Sequence, residues 1–486
     1  MKTYNREHFL SAIDQALSIF FKSLLPLILV MISQFSQSFF SLKNILIKAS
    51  VFIGLIILSF TFSIIKWFNK KYSIDSKKVI LDEGIFISKH REIPFNKIQT
   101  INISQTIKQR LFSLASIKID TGNSSTTGSE ISIIMEKSKA QLFKDRISKL
   151  EKDDNTLNKT NKLSYNSENE LRISNKELIT TALTKGAWFS GIAIIFATYR
   201  LLDDYFNNII VDIINNIAKY VEGIYSNTMS LQKAIFFIVS ILFLYLIFSF
   251  VVAILKTFIK FYGFILKREG KNIIISYGLF EKKNYSITVS KISAIYIKQN
   301  SLRQLTGFGE MKIESVGYGD EAGENSILFP IANLKKQQFI IKKFLPEFYF
   351  EDTIIKVPTR SLKRFILRNL LFSAIPTIIL TINFNYGYFS LLLIPIFILK
   401  GFKEYKNSGI AKNKTLIYIS SKGFKKQISI IPIKRIQSIK ISQNYFQKRA
   451  QLFNYMVSIQ GNNLGTNIKV RNLSGELMDT FRYGIF

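Results

Sequence analysis

One pattern of spacing constrains this chain more than any other feature. Gly84, Ile98, Gln105 and Ile119 recur as Gly278, Ile292, Gln299 and Ile313 at identical intervals. A looser copy follows at Gly423, Ile436, Gln443 and Ile459, with one residue lost before Ile436 and two gained after Gln443. Such spacing marks an internal repeat, so one supersecondary unit is built three times. Within a unit the pattern is strand-like: Ile98, Thr100, Asn102 and Ser104 alternate with Gln99, Ile101, Ile103 and Gln105. Gly84 falls where the chain has to reverse, and "GNSSTTGSE" (Gly122–Glu130) and "GYGDEAGEN" (Gly317–Asn325) have the composition of hairpin loops. Each block then turns helical. Phe143, Ile147 and Leu150 follow a capping-box spacing from Ser138 to Gln141, and Phe339–Leu345 plays that part in the second block. Only "SGELMDTFRYGIF" remains in the third, so its helix is expected to be truncated. Antiparallel strands plugged by one amphipathic helix make a small β-barrel or sandwich.

Six apolar segments, in three pairs, precede the repeats. They are about Ser23–Phe40 with Ile45–Phe68, Gly186–Leu202 with Ala234–Leu255, and Asn369–Phe384 with Tyr388–Leu399. Crossing a bilayer takes roughly 20 residues. The second members of the first two pairs meet that length. The third pair is short and carries Pro376 and Pro395, so two crossings or a shallow hairpin both remain open there. The first 17 residues are polar, and the apolar run behind them lacks a small-residue cleavage site, so it is expected to stay as a helix.

Charge gives the orientation. Lys and Arg total 66 against 33 Asp and Glu, a net +33, and mean hydropathy is +0.18. If each pair is a hairpin, its connecting loop is poor in cations: Lys43 in the first, Arg200 and Lys219 against Asp203, Asp204, Asp212 and Glu222 in the second, none in the third. Cations concentrate on the cytoplasmic side. The termini and all three polar blocks are therefore expected in the cytoplasm, at the inner (cytoplasmic) cell membrane. The cations cluster where segments leave the bilayer, at Lys66, Lys70, Lys71, Lys77 and Lys78, at Lys267, Arg268 and Lys271, and at Lys400, Lys403 and Lys406. Juxtamembrane clusters of this kind suit anionic membrane lipids, or simply satisfy topology. Nucleic acid is not needed to answer the charge.

Paired membrane helices followed by "EGIF", "YGLF" or "KGFK" and then "IPFNKIQTINISQ"-type strands resemble the bacterial pleckstrin-homology-like (bPH) membrane proteins. The match is to the YdbT-like group, which strings several such domains on one chain. It covers nearly the whole sequence. The resemblance implies a seven-stranded barrel with a C-terminal capping helix in each unit. It also implies a smaller PH-like membrane protein of the same family as a partner, and a role in envelope stress, including tolerance of membrane-active peptides. The chain departs from the pattern at the shortened last helix and at Ser113, where the second unit has Gly307.

The expected architecture is thus a multi-pass membrane protein in which α-helical transmembrane hairpins alternate with PH-like domains. The N-terminal segment and first hairpin span residues 1–70, domain 1 residues 71–152, and a polar linker residues 153–174. Hairpin 2 spans 175–262, domain 2 263–350, hairpin 3 351–402 and domain 3 403–486. The linker should let domains 1 and 2 move independently, whereas only Pro346–Arg360 separates domains 2 and 3.

Chemistry is sparse. With no Cys and only His8 and His90, thiolate nucleophiles, Cys-ligated metals and His cages are excluded, and serines lack an activating base. The glycine-rich "GFGEMKIESVGYGDEAGEN" lacks a Lys-Ser/Thr pair, which fits a hairpin loop rather than a phosphate cradle. Asp203–Asp204 reads as a solvated doublet. No cofactor and no metal are expected, and the chain reads as a non-catalytic scaffold or adaptor for lipids or membrane proteins. A transporter or channel is the alternative, weakened because no ionisable residue sits mid-segment. Gln105, Gln299 and Gln443, each followed by cations, either form a headgroup rim or close a strand-end turn through backbone bonds. In the second external connection Ile210, Ile213, Ile214, Ile217 and Val221 share one helical face, either an external contact site or an interfacial spacer.

Overall fold

The computed structural model describes residues 4–33, 42–75, 77–98, 100–120, 131–144, 170–185, 231–315, 326–383, 387–460 and 466–475. Unit 1 opens on β1 (Asn5–Arg6), runs through α1 (Leu10–Ser33) and α2 (Leu42–Asn69), and returns as β2 (Lys71–Ile74), β3 (Lys78–Glu83) and β4 (Lys89–Pro94). Then come β5 (Thr100–Gln105), α3 (Ile107–Leu111), β6 (Leu114–Asp120), β7 (Ile131–Glu136) and α4 (137–144). Unit 2 repeats the order. It has β8 (Glu170–Arg172), α5 (Asn175–Thr184), α6 (Leu231–Phe261), β9 (Ile265–Glu269), β10 (Asn272–Tyr277) and β11 (Lys282–Thr288). β12 (Ile292–Gln299), α7 (Ser301–Thr306), β13 (Phe308–Ser315), β14 (Ser326–Asn333) and α8 (Leu334–Phe344) complete it. Unit 3 has β15 (Ile355–Lys356), α9 (Leu362–Asn383), α10 (Leu393–Asn407), β16 (Gly409–Lys412), β17 (Leu416–Ser421) and β18 (Lys426–Pro432). It closes with β19 (Ile436–Ser442), α11 (Tyr445–Arg449), β20 (Leu452–Ile459) and β21 (Thr466–Ser474). Four strands plus three recur in every unit. The tail that would hold a third capping helix lies outside the described residues.

In each unit the described helices, α1 with α2, α5 with α6 and α9 with α10, lie between the first and second strands. Arg6 pairs with Lys71, Leu171 with Leu266, and Ile355 with Ile410, each pair closing antiparallel across the helices. Domain boundaries drawn at residues 71, 263 and 403 therefore omit a first strand that precedes the hairpin. In unit 2 that strand occupies residues assigned to the linker. Two- and three-residue strands are too short to show an alternating pattern. By length and composition, Phe243–Phe261 and Thr359–Asn383 could each cross a membrane.

The units do not keep their sheets to themselves. β5 of unit 1 pairs with β11 of unit 2, placing Gln105, Ser104 and Ile103 opposite Lys282, Lys283 and Asn284. β12 of unit 2 pairs with β18 of unit 3 from Ile295↔Ile430 to Gln299↔Lys426. Both joints are antiparallel, giving two seven-stranded sheets that run across unit boundaries. Independent movement of units 1 and 2 is thereby corrected: the strand edges join them, whatever the linker allows. β12 is buried on both faces. Ile295 and Ile297 enter the core of unit 2 with Phe264, Phe329 and Phe344, while Ala294 and Tyr296 enter that of unit 3 with Ile417, Ile419 and Val457. Burial on both faces explains its run of apolar residues without alternation.

Two of the repeat glycines sit at a turn that requires them. Gly84 (φ 142°) and Gly278 (φ 110°) are in left-handed territory, and a Cβ would meet the Ile87 or Glu281 carbonyl oxygen at 2.0 Å. In unit 3 the left-handed residue is Lys422 (φ 74°), and Gly423 instead gives close approach to the Lys400 carbonyl, 2.8 Å from where a Cβ would stand. At Ser113 the sequence departs from Gly307 but the backbone does not. Ser113 (φ 53°), Gly307 (φ 74°) and Gln451 (φ 49°) all take the left-handed conformation after the short helix.

Candidate functional site: the hairpin-end rim

Each unit has a hairpin end, where its helices enter, and a far end. The tight turn between the third and fourth strands belongs to the hairpin end. In unit 2 the Gly278 amide donates to the Tyr262 carbonyl (2.9 Å) and the Leu279 amide to the Ile259 carbonyl (3.0 Å), seating the turn on α6. The short helices α3, α7 and α11 lie at this end as well. Arg303 donates through Nε to Thr184 Oγ1 (3.1 Å) at the foot of α5, and Arg364 on α9 donates to the Phe446 carbonyl.

Capping fixes these short helices. Thr106 and Asn444 each form a capping box, with Gln109 and Gln447 respectively, and Asn300 accepts from the Arg303 amide. They also bridge units. Arg110 Nη1 donates to the Leu279 carbonyl (2.8 Å), and Gln304 Nε2 to the Gly423 (2.9 Å) and Phe424 (3.1 Å) carbonyls. The short helix of one unit thus holds the turn of the next.

The rim presents large apolar side chains to solvent. Phe86 is 92% exposed, Leu305 78%, Leu111 77% and Phe446 67%, and Ile87, Phe112, Phe280 and Tyr445 are exposed beside them. Lys108, Arg110, Lys448 and Arg449 stand among them on α3 and α11. Lys403 lies over the Phe424 ring and Lys400 over Phe397. Apolar side chains interleaved with cations on one surface are suited to the headgroup boundary of an anionic bilayer.

The repeated glutamines have another occupation. Gln105, Gln299 and Gln443 donate through Nε2 to the carbonyls of Leu114 (2.7 Å), Phe308 (2.8 Å) and Leu452 (3.2 Å), each bridging its strand end to the strand beyond the short helix. Ile98 and Ile292 are core residues, and Ile436 is half-buried.

The expected lipid-contact cations separate into groups. Lys66, Lys71, Lys400, Lys403 and Lys406 lie at the hairpin end. Lys70 is there too but pairs with Glu7 (2.8 Å) and donates to the Ser132 carbonyl (2.7 Å). Lys77, Lys78 and Lys271 are at far-end turns, Lys78 paired with Glu92 (2.7 Å). Lys267 pairs with Glu269 (2.6 Å), and Arg268 grips Glu347 with both Nη atoms, holding its carboxyl below the ordinary carboxylate range. The Ile210 to Val221 face lies outside the described residues. The apolar residues of the short helices were not singled out from sequence, although "QRLF" and "QNYF" signal them: apolar residues beside cations just past the strand end.

Among the described residues no group of three or more His, Cys, Asp or Glu could hold a metal ion. His90 is exposed between Asp82 and Glu92, and hydrogen bonds to first one and then the other raise its pKa. A far-end cleft of about 810 Å³ between units 2 and 3 has Lys271, Lys414 and Lys434 around Val289, Phe348 and Leu416.

Residues 27–151, 217–345 and 365–477 each match the profile of the Bacterial PH domain. The chain belongs to that family. Its three matched stretches each include one four-plus-three set of strands apart from the short first strand. Among curated proteins this bacterial PH domain chain is similar to the UPF0699 transmembrane protein YdbT of Bacillus subtilis (strain 168). The two are 31% identical over 428 residues, covering 85% of this chain and 84% of the relative.

Proposed function

We propose that this protein is a non-catalytic membrane scaffold whose three PH-like domains rest on the inner leaflet, gripping anionic lipid and neighbouring membrane proteins. The hairpins are its membrane anchors and the polar units are cytoplasmic. The carrying observation is the hairpin-end rim: exposed apolar side chains gather at the end of each domain from which its helices depart, with cations beside them on the short helices of units 1 and 3. Each cation near an anionic surface contributes about 1 kcal/mol, and tethering three weak sites on one chain raises their effective concentration without new contacts. Protection of the envelope against stress or membrane-active peptides is the physiological setting the family resemblance suggests, and a smaller PH-like membrane protein is the partner it suggests.

The chain has no cysteine of its own, so single Cys residues report cleanly. The full chain in anionic nanodiscs, labelled with bimane at Leu111→Cys, Leu305→Cys or Phe446→Cys, is expected to be quenched by lipids brominated near the headgroup. Label at Lys271→Cys or Lys414→Cys is expected to be unaffected. Equal quenching at both ends, or none at the rim, would remove the reading.

A further inference from the structure

The two joints inside the chain leave one half-joint open at each end. β5 and β12 are equivalent strands, as are β11 and β18, and the two joints share a register: Gln105 faces Lys282 as Gln299 faces Lys426. The remaining members of these sets are β19 in unit 3 and β4 in unit 1. Each has one edge without a strand partner among the described residues. Exposure separates the open strands most clearly from those of joint 2, while β11 of joint 1 has only Tyr285 and Ile287 buried. β12 is buried through six successive residues and β18 through five, whereas β19 has no buried residue and β4 only Ile93.

We propose that a second copy of this chain docks head to tail in the same membrane, β19 of one copy pairing antiparallel with β4 of the next. Two features commit the edge to that occupant. The first is continuity: the contact repeats, in the same register, one already made twice between units of this fold. The second is direction. β19 runs from the far end to the hairpin end and β4 runs back, so two copies held on the same side of one bilayer present antiparallel edges. Two β19 strands related about the membrane normal would be parallel, which neither internal joint is. The inferred register sets Ser442 opposite Lys89, Ile441 opposite His90, Lys440 opposite Arg91 and Ile439 opposite Glu92. The Lys440–Arg91 pair is adverse but exposed. Joint 2 already tolerates like charge: burial first, then Lys312 and Lys422, lowers the Lys298 ammonium pKa. Because the two surfaces differ, the contact is heterologous and propagates as a row or closes as a ring. The inference rests on the proposed same-side arrangement of the units.

Facing residues of an antiparallel pair have Cα atoms about 4.5–5.5 Å apart, within disulfide range. Two differently tagged full-length chains, one Ser442→Cys and one Lys89→Cys, are co-expressed and oxidised in native membranes. A disulfide-linked dimer carrying both tags is expected, with none when Gln437→Cys replaces Ser442→Cys. Oxidation is checked by the intrachain pair Ser104→Cys with Lys283→Cys, which reports joint 1. Absence of the tagged dimer where the joint 1 bond forms would overturn the proposal and leave the same-side reading intact. Capture of the Ser442→Cys thiol solely by another protein would overturn it too. Labelling that places the Lys89→Cys and Ser442→Cys thiols on opposite sides of sealed vesicles would overturn both.

Discussion

The two internal joints use one geometry with different chemistry. Joint 2 registers five residue pairs and sandwiches β12 between two cores, with Ile297 facing Ile428 and Ile295 facing Ile430. Joint 1 registers three pairs, and where joint 2 has Ile428 it has Asn284, opposite Ile103. The Asn284 Oδ1 is buried without a hydrogen-bond partner among the described residues. Fold repetition therefore fixes where units meet but not how firmly. The apolar residues on the shared strands set that, so units 2 and 3 form one continuous body while unit 1 is joined through a thinner, more polar seam.

The largest test of this contrast is at Tyr296, fully buried in joint 2 with its hydroxyl donating to Glu314, which also accepts from Thr466 of unit 3. Tyr296→Ala is expected to cost about 3–5 kcal/mol, read as a lower denaturant midpoint for the full chain, with faster amide exchange in β17 and β18 and little change in β5. Equal loosening at both joints would erase the distinction. In the other direction, Asn284→Ile gives joint 1 the residue joint 2 uses. Removing the unpaired buried Oδ1 and adding apolar contact to Ile103 is expected to stabilise by about 1–2 kcal/mol, slowing exchange at Ile103–Gln105. The smallest effect is acidic. Arg268 lowers the Glu347 pKa in the folded chain, so that pair contributes stability above the unfolded carboxylate value and loses it as pH falls through the folded one. Glu347 is 49% exposed at its side chain, so the amount is under about 1 kcal/mol. Glu347→Gln is expected to flatten that part of the acid limb of a stability–pH profile.

The repeat was legible because a turn that admits only glycine at Gly84 and Gly278, and a core position at Ile98 and Ile292, leave identical spacing in the chain. Much of the strand content followed from alternation, and the apolar segments from length. What stayed hidden has physical reasons. β1, β8 and β15 are too short to show a period, so insertion of each hairpin inside its domain left no local mark. The joints pair strands far apart in sequence, and the alternation in β5 reads the same with or without a neighbour. At the rim, Gln105 and its equivalents repeat because they bond backbone; the exposed leucine six residues on repeats as Leu111 and Leu305 but is lost in unit 3, where Arg449 takes that position and Phe446 is the exposed apolar residue.

Placing a hairpin between the first and second strands has a consequence for biogenesis. On the proposed membrane arrangement, the opening strand of every domain leaves the ribosome before the apolar helices and has nothing to pair with until the chain returns from the bilayer. Sheet completion then certifies insertion: a hairpin that fails to seat its two ends side by side leaves that strand orphaned. Quality control could read the failure in the aqueous compartment, without inspecting the lipid phase at all.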